Sequence, residues 1–118
     1  MSYLSKIEDI YSLLGQGKAM DAFEQYYAEN VDMILEDGTV ISGKDTNRQR
    51  EIDFFSSVES FNGLEVKAIN SNEEAGTTSV EVTMDVTFQG GNNVVINQVA
   101  TQKWDGDHIV TERFYGTK

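Results

Sequence analysis

Cysteine and proline are both absent from the 118 residues of this chain, and histidine and tryptophan occur once each. Without cysteine, the chain can form no disulfide bond, no thiolate metal site and no cysteine nucleophile. One histidine and scattered carboxylates give no metal-ligand spacing, so we expect no metal and no other cofactor. The absence of proline leaves every predicted strand uninterrupted.

Positive charge is also scarce, since nine Lys and Arg residues face twenty Asp and Glu residues, for a net charge of −11. Such a chain repels phosphate backbones and anionic lipid, which require clustered Lys and Arg. We therefore expect neither nucleic acid nor a membrane as a partner. No apolar run approaches the roughly 20 residues that cross a bilayer, and the N-terminus lacks a signal-peptide pattern. A cytoplasmic location is the expectation that follows.

A hydrophobic content of 39% in 118 residues predicts one domain over residues 1–118. Apolar residues at three- and four-residue spacing predict a helix over residues 3–14, and Gly15 and Gly17 end it. Two further helices are predicted over residues 18–28 and 44–57, with a small hairpin, 31–35 and 39–42, between them. In the third helix, Arg48, Arg50 and Glu51 are predicted to stay in water.

From Leu64 onward the apolar period changes to two, which predicts strands over residues 64–70, 79–88, 94–104 and 108–116. In the second of these strands one face carries Val80, Val82, Met84, Val86 and Phe88. The Asp105-Gly106 pair predicts a tight hairpin between the last two strands. A two- or four-residue loop there pairs even positions of one strand with odd positions of the next, whereas a three-residue loop inverts the pairing.

The even-to-odd pairing predicts that Gln102, Trp104 and Arg113 project together from the inner surface of the sheet toward the helices. The residues predicted on the outer face are Val95, Val99, Val110, Glu112 and Phe114. A buried guanidinium needs a carboxylate, which either a ligand or the protein supplies to Arg113. Alternatively, Gln98, Gln102 and Arg113 satisfy one another beside a filled core. Mostly apolar walls with a few polar groups are typical of a ligand pocket. The predicted ligand-binding residues are Tyr26, Tyr27, Met33, Leu35, Phe54, Phe55, Val58, Val82, Met84, Val86, Gln98, Ala100, Gln102, Trp104, Thr111, Arg113 and Tyr115.

Two segments, YYAENVDMILEDGTVISGKD (26–45) and QVATQKWDGDHIVTERFYG (98–116), resemble the SnoaL-like branch of the NTF2-like superfamily. The resemblance implies an α+β cone, in which three N-terminal helices pack on a strongly curved, mainly antiparallel sheet with a pocket at the wider end. It also implies a homodimer, for which the outer sheet face offers a surface. Ketosteroid isomerase relatives would place their catalytic groups at Leu35, Ile10 and Ala100, and none of these residues can titrate.

An alignment shift of one residue would bring Glu36 and Tyr11 to two of those positions, so Glu36, Tyr26 and Tyr11 are the catalytic candidates. Three functions stay open. The first is binding of a small apolar molecule, or one that bears a carboxylate or carbonyl group. The second is an isomerase, cyclase or dehydratase that abstracts a proton. The third is an accessory or interaction module with a filled cone.

Overall fold

Three helices cover one face of a six-stranded sheet in the computed structural model, which describes residues 2–117. Along the chain these elements are α1 (Tyr3–Gly15), α2 (Ala19–Tyr26), β1 (Tyr27–Ile34), β2 (Val40–Ser42), α3 (Lys44–Ser56), β3 (Val58–Asn72), β4 (Thr77–Phe88), β5 (Asn92–Asp105) and β6 (His108–Thr117). The strand order is β2-β1-β6-β5-β4-β3, and only β1 and β6 pair in parallel. The predicted α+β class with a curved sheet is confirmed.

The ends of the helices follow local chemistry. The Ser2 hydroxyl accepts the Ser5 N–H at 3.0 Å, and the Glu73 carboxylate accepts the Tyr3 and Leu4 N–H groups at 2.8 and 3.0 Å. A carboxylate at a helix N-terminus satisfies free donors and suits the helix dipole. Gly43 precedes α3 with φ 94°, a backbone conformation that other residues rarely adopt.

Several predicted boundaries were wrong. Helix α2 ends at Tyr26 and strand β1 already begins at Tyr27, whereas the sequence pattern predicted a helix to Ala28 and a strand from Val31. Strand β3 begins at Val58, six residues before the predicted start. It is an edge strand with three register shifts against β4, and each shift breaks the period of two that reveals a strand.

The core lies between α1, α2 and the inner face of the sheet. The predicted inner face of β4 is confirmed, since Val80, Val82 and Val86 are at most 1% exposed. On β5, Trp104 is 5% exposed, and its ring packs against Tyr3 and Tyr26 with centroid distances of 5.8 and 6.1 Å. Burying large apolar side chains of this kind contributes about 1.5–3 kcal/mol each.

A β-bulge in β6 changes which residues face the core. Gly106 and Asp107 form the turn, and Trp104 pairs with Ile109, which is the even-to-odd pairing that the sequence predicted. The next pair is Lys103 with Thr111, so Val110 is an extra residue without a partner on β5. An extra residue inverts the alternation of side chains beyond it.

Beyond the bulge, Glu112 is 3% exposed and Phe114 packs against the core. The predicted outward orientation of these two residues was therefore wrong. The predicted inward orientation of Thr111, Arg113 and Tyr115 was wrong for the same reason. No helix within residues 2–117 is long and apolar enough to cross a membrane.

Candidate functional site

A cavity of about 470 Å³ lies between the helices and the inner face of the sheet. Its walls are largely apolar and aromatic, with contributions from Ile10, Leu14, Ala19, Met20, Ala22, Phe23, Leu35, Phe54, Phe55, Val82, Met84, Ile96 and Phe114. The polar groups that line it belong to Tyr11, Tyr27, Glu36, Arg50, Glu51, Gln98 and Glu112. Its volume and mixed lining are typical of small-molecule sites.

Glu112 is the most enclosed carboxylate of this cavity. Its Oε1 accepts the Tyr27 hydroxyl at 2.6 Å, and its Oε2 accepts the Gln102 amide N–H at 2.8 Å. The Gln102 carbonyl accepts the Thr78 hydroxyl at 2.7 Å, and Thr78 in turn accepts the Trp104 indole N–H at 2.9 Å. Every donor in this series of hydrogen bonds is directed toward Glu112, so both carboxylate oxygens are held in place.

Burial raises the pKa of the Glu112 carboxyl to about 7, and the nearby charge of Glu51 acts in the same direction. The hydrogen bonds from Tyr27 and Gln102 oppose this rise because they favour the charged form, and the Arg50 cation opposes it as well. A carboxyl group with a pKa near neutrality can both take and return a proton at physiological pH.

The pKa values of the neighbouring tyrosine hydroxyl groups lie far from neutrality. Burial raises the pKa of Tyr11 and of Tyr27 well above the usual tyrosine value, and the charge of Glu112 raises both further. Burial also raises the pKa of Glu51. The two tyrosines thus stay protonated at neutral pH, whereas Glu112 changes its charge there.

Arg50 brings a positive charge to the same cavity from α3. Its Nη2 lies 3.4 Å from the Met33 sulfur and 3.5 Å from Glu51 Oε1. Its Nε is buried and has no hydrogen-bond partner among the described residues. Met33 pairs with Glu112 between β1 and β6, and the Arg50 charge is close enough to lower the pKa of Glu112.

The structure places about half of the predicted site residues on the cavity wall. They are Tyr11, Tyr27, Leu35, Glu36, Phe54, Phe55, Val82, Met84 and Gln98. Another group is buried behind the wall, namely Tyr26, Met33, Val86, Ala100, Gln102 and Trp104, whereas Val58 is half-buried at the start of β3. Among these, Gln102 reaches the site indirectly through its hydrogen bond to Glu112.

The three predicted residues from β6 lie away from the cavity. Thr111 lines a separate groove of about 410 Å³ that involves β3, β4 and β5. Arg113 is exposed, and its guanidinium lies 5.2 Å from the centroid of the Tyr115 ring. Arg113 therefore cannot hold a ligand in the inner cavity, and the guanidinium that faces the cavity belongs to Arg50.

Two of the catalytic candidates have structural partners. Glu36 is exposed at the rim, where Gln98 Nε2 donates to its Oε1 at 3.2 Å. Tyr26 donates its hydroxyl to Asp9 at 2.5 Å, and burial together with this carboxylate raises the pKa of Tyr26 to about 12. Only Tyr11, the third candidate, lines the cavity close to Glu112.

The sequence pattern missed Glu112, Glu51 and Arg50. One signal for Glu112 was present, because the apolar residues of β6 occupy both even and odd positions, and mixed parity of this kind indicates a bulge. Arg50 and Glu51 were predicted to lie in water because the apolar contacts of the third helix were assigned to Ile52, Phe54, Phe55 and Val58. Within residues 2–117, no group of three His, Asp or Glu side chains is arranged to hold a metal ion.

Residues 4–116 match the SnoaL-like domain family. No curated protein sequence shows significant similarity to the chain.

Solved structures share the fold at low sequence identity. A candidate SnoaL-like polyketide cyclase from Mesorhizobium loti has 24% identity and a TM-score of 0.82, with 98% of this chain and 99% of that protein covered. An NTF2-like protein of unknown function from Burkholderia pseudomallei has 14% identity and a TM-score of 0.83, with 99% and 92% covered. A protein with a ketosteroid isomerase-like fold from Catenulispora acidiphila, solved in complex with trimethylamine, has 8% identity and a TM-score of 0.74, with 93% and 83% covered.

Proposed function

Since this chain belongs to the SnoaL-like domain family, we propose that it binds a small, mostly apolar molecule in the inner cavity and moves a proton on it with Glu112. The observation that carries the proposal is the buried Glu112 carboxylate, which lines the cavity and has its pKa raised to about 7. Family membership supports small-molecule binding or a cyclase- or isomerase-type role. Relatives described as polyketide cyclases are consistent with this chemistry.

The proposed step begins with ionised Glu112 and a carbonyl compound in the cavity. The carboxylate takes a proton from the carbon next to the carbonyl group, the C–H electron pair forms a C=C bond, and the carbonyl π pair moves to the oxygen. Protonated Glu112 then returns its proton. If the compound has a C=C bond next to the deprotonated carbon, return of the proton to the far end of the extended enolate shifts that double bond. Return to the same carbon after exchange with water leaves only an isotope label.

That isotope label provides a test that does not require the natural substrate. Uptake of deuterium at the α-carbon of 2-tetralone in D₂O, followed by NMR, should be faster with the protein than in buffer. The protein-dependent rate should rise with pH around a midpoint near 7, because the carboxylate form is the base. The Glu112→Gln variant should lose about 100-fold or more of this rate. The Glu81→Gln variant, which removes an exposed carboxylate from β4, should keep it.

Equal exchange rates in the parent chain and in Glu112→Gln would contradict the proposed chemistry. Saturable binding of 2-tetralone without any exchange would instead favour a binding protein. The accessory-module hypothesis requires a filled cone, and the cavity of about 470 Å³ counts against it.

We also propose that the chain forms a homodimer through the outer face of the sheet. The proposal is supported by the exposed Val95 and Tyr115, which are 54% and 49% exposed, and by Val99, which pairs with Tyr115. Apolar side chains on an open sheet face are suited to two-fold packing. Light scattering after size exclusion should give twice the chain mass, and the Val95→Lys variant should shift it toward the monomer. A parent chain that is monomeric at high micromolar concentration would contradict this.

A further inference from the structure

The guanidinium of Arg50 has unused hydrogen-bonding capacity inside the cavity. Its Nε is buried without a partner among residues 2–117, and its Nη2 meets only the Met33 sulfur at 3.4 Å and Glu51 Oε1 at 3.5 Å. Thioether sulfur is a weak acceptor, and 3.5 Å is at the limit of a hydrogen bond. Buried N–H groups in native proteins nearly always have a partner, so an unpaired one requires a physical explanation.

Arg48 lies two residues earlier on the same helix and provides a contrast. Its Nε and Nη2 both donate to Glu24, and its Nη1 donates to Asp45. The protein therefore pairs the solvent-side arginine of α3 with carboxylates, but leaves the cavity-side arginine without an equivalent acceptor. An oxygen atom of a ligand in the cavity would supply the missing acceptor.

The charges that line the cavity indicate whether this ligand oxygen is anionic or neutral. Three carboxylates, from Glu36, Glu51 and Glu112, line the cavity together with the single Arg50 cation. The whole chain also carries a net charge of −11. An anionic ligand would meet repulsion from these groups, whereas a carbonyl oxygen accepts hydrogen bonds without adding a charge.

The position of Arg50 also suits the proposed proton transfer. Arg50 contacts Met33, Met33 is the β1 partner of Glu112, and the Arg50 charge acts on the pKa of Glu112, so a donor and a base line the same cavity. A carbonyl oxygen on Arg50 would bring its neighbouring carbon toward Glu112. The apolar remainder of the ligand would lie against aromatic side chains such as Phe54, Phe55 and Phe114.

We propose that Arg50 is a ligand-binding residue that selects neutral carbonyl compounds with an apolar ring body, and that its guanidinium donates a hydrogen bond to the carbonyl oxygen. This inference deepens the proposed function and rests on the same cavity. It assigns to Arg50 the contact with a polar group of the ligand that the sequence pattern suggested for Arg113.

Four probes with one ring skeleton test the selection, namely 2-tetralone, tetralin, tetralin-2-carboxylate and 2-aminotetralin. They present a neutral carbonyl, no polar group, an anion and a cation. Titration calorimetry on the parent chain should show 2-tetralone binding about tenfold or more tightly than tetralin, as expected for one hydrogen bond to a charged donor. It should also bind more tightly than the carboxylate, which the cavity carboxylates repel, and than the amine, whose ammonium group offers Arg50 no acceptor and is repelled by its charge.

Variants of the two arginines separate the role of Arg50 from a general effect of charge. Arg50→Met should abolish the preference for the ketone over tetralin while tetralin binds as before. Arg48→Met removes the same charge from the same helix outside the cavity, and it should keep the preference. Arg50→Lys keeps the charge and should restore part of the preference, which provides a second test if Arg50→Met does not fold. Thermal unfolding shows which variants are folded.

Several results would overturn the inference. Retention of the full preference for the ketone in both Arg50→Met and Arg50→Lys would contradict it. Tightest binding of the carboxylate or of the amine would contradict it as well. Binding of none of the four probes would overturn it as well.

Failure of the inference can be distinguished from failure of the proposed function. Glu112→Gln should lose deuterium exchange but keep the preference for the ketone. An Arg50-dependent preference without exchange in the parent chain would refute the proton transfer alone. Exchange with an unchanged KM and kcat in Arg50→Met would refute the role of Arg50 alone.

Discussion

Replacing Glu112 by glutamine should make the folded chain less sensitive to pH, because the substitution removes a buried group that must ionise near neutrality. Both oxygen atoms of Glu112 accept hydrogen bonds, from Tyr27 and Gln102. A glutamine can accept from Gln102 with its carbonyl and donate to the Tyr27 oxygen with its amide. One bond is thereby reversed, at a cost of about 1 kcal/mol that does not depend on pH.

The pH-dependent part follows from the pKa. Burial raises the pKa of Glu112 from 4.5 to about 7, so the folded chain holds this proton more tightly than the unfolded chain does. The resulting penalty on folding is absent below about pH 4.5, grows between the two pKa values and is constant above them. At about 1.36 kcal/mol per pKa unit, the full penalty is about 3 kcal/mol. Between pH 5 and pH 8 the parent should lose about 2.5 kcal/mol relative to Glu112→Gln.

Urea unfolding of both chains at pH 5, 6, 7 and 8 measures this difference. Other titrating groups are common to both chains, so they cancel when the free energies of unfolding are subtracted. Glu81→Gln removes one negative charge at an exposed position on β4 and controls for net charge, and its pH dependence should follow that of the parent. Glu112→Gln should gain on the parent steadily as the pH rises.

Parallel curves for the parent and Glu112→Gln would refute the reasoning, whatever the constant offset between them. They would mean that Glu112 has the same proton affinity in the folded and unfolded chains. A difference that shrinks toward high pH would give the opposite sign and would mean that the charged form is favoured by folding.

Three further predictions test the neighbouring geometry. Tyr27→Phe removes a donor to the carboxylate, so the pKa of Glu112 should rise further and the midpoint of deuterium exchange should move to higher pH; an unchanged midpoint would show that this hydrogen bond is unimportant. Trp104→Ala should cost about 3–5 kcal/mol in urea unfolding because the indole is core, whereas a loss below 1 kcal/mol would exclude that burial. Arg113→Ala should change the free energy of unfolding by about 0.5 kcal/mol or less and leave probe binding intact, because Arg113 is exposed on the outer face; loss of binding would place it inside.

Much of the fold could be predicted from the sequence because its signals are local. The alternation in β4 correctly assigned its buried face, and the Asp105-Gly106 pair correctly predicted the hairpin between β5 and β6. Resemblance over residues 26–45 and 98–116 identified the family. These features depend on residues that are neighbours along the chain, so they can be recognised directly in the sequence.

The faces of the β6 residues could not be predicted, because one extra residue interrupts the simple alternation of that strand. With Val110 inserted in β6, Glu112 turns inward and Arg113 turns outward, so the predicted polar groups of that strand exchanged faces. The insertion is stabilised by burial of Ile109 and Phe114 on the same side, and that gain exists only once the helices cover the sheet.

The sequence alone indicated the apolar character of the inner wall, because periodicity specifies which residues leave water, and its resemblance to known members indicated the α+β cone and the family. Tertiary structure alone decided that the cavity holds Glu112 beside Arg50. The pKa of Glu112 near 7 and the Arg50 N–H without a partner among residues 2–117 both arise from removing water around groups distant in sequence, and this occurs only when α1, α3 and β6 come together.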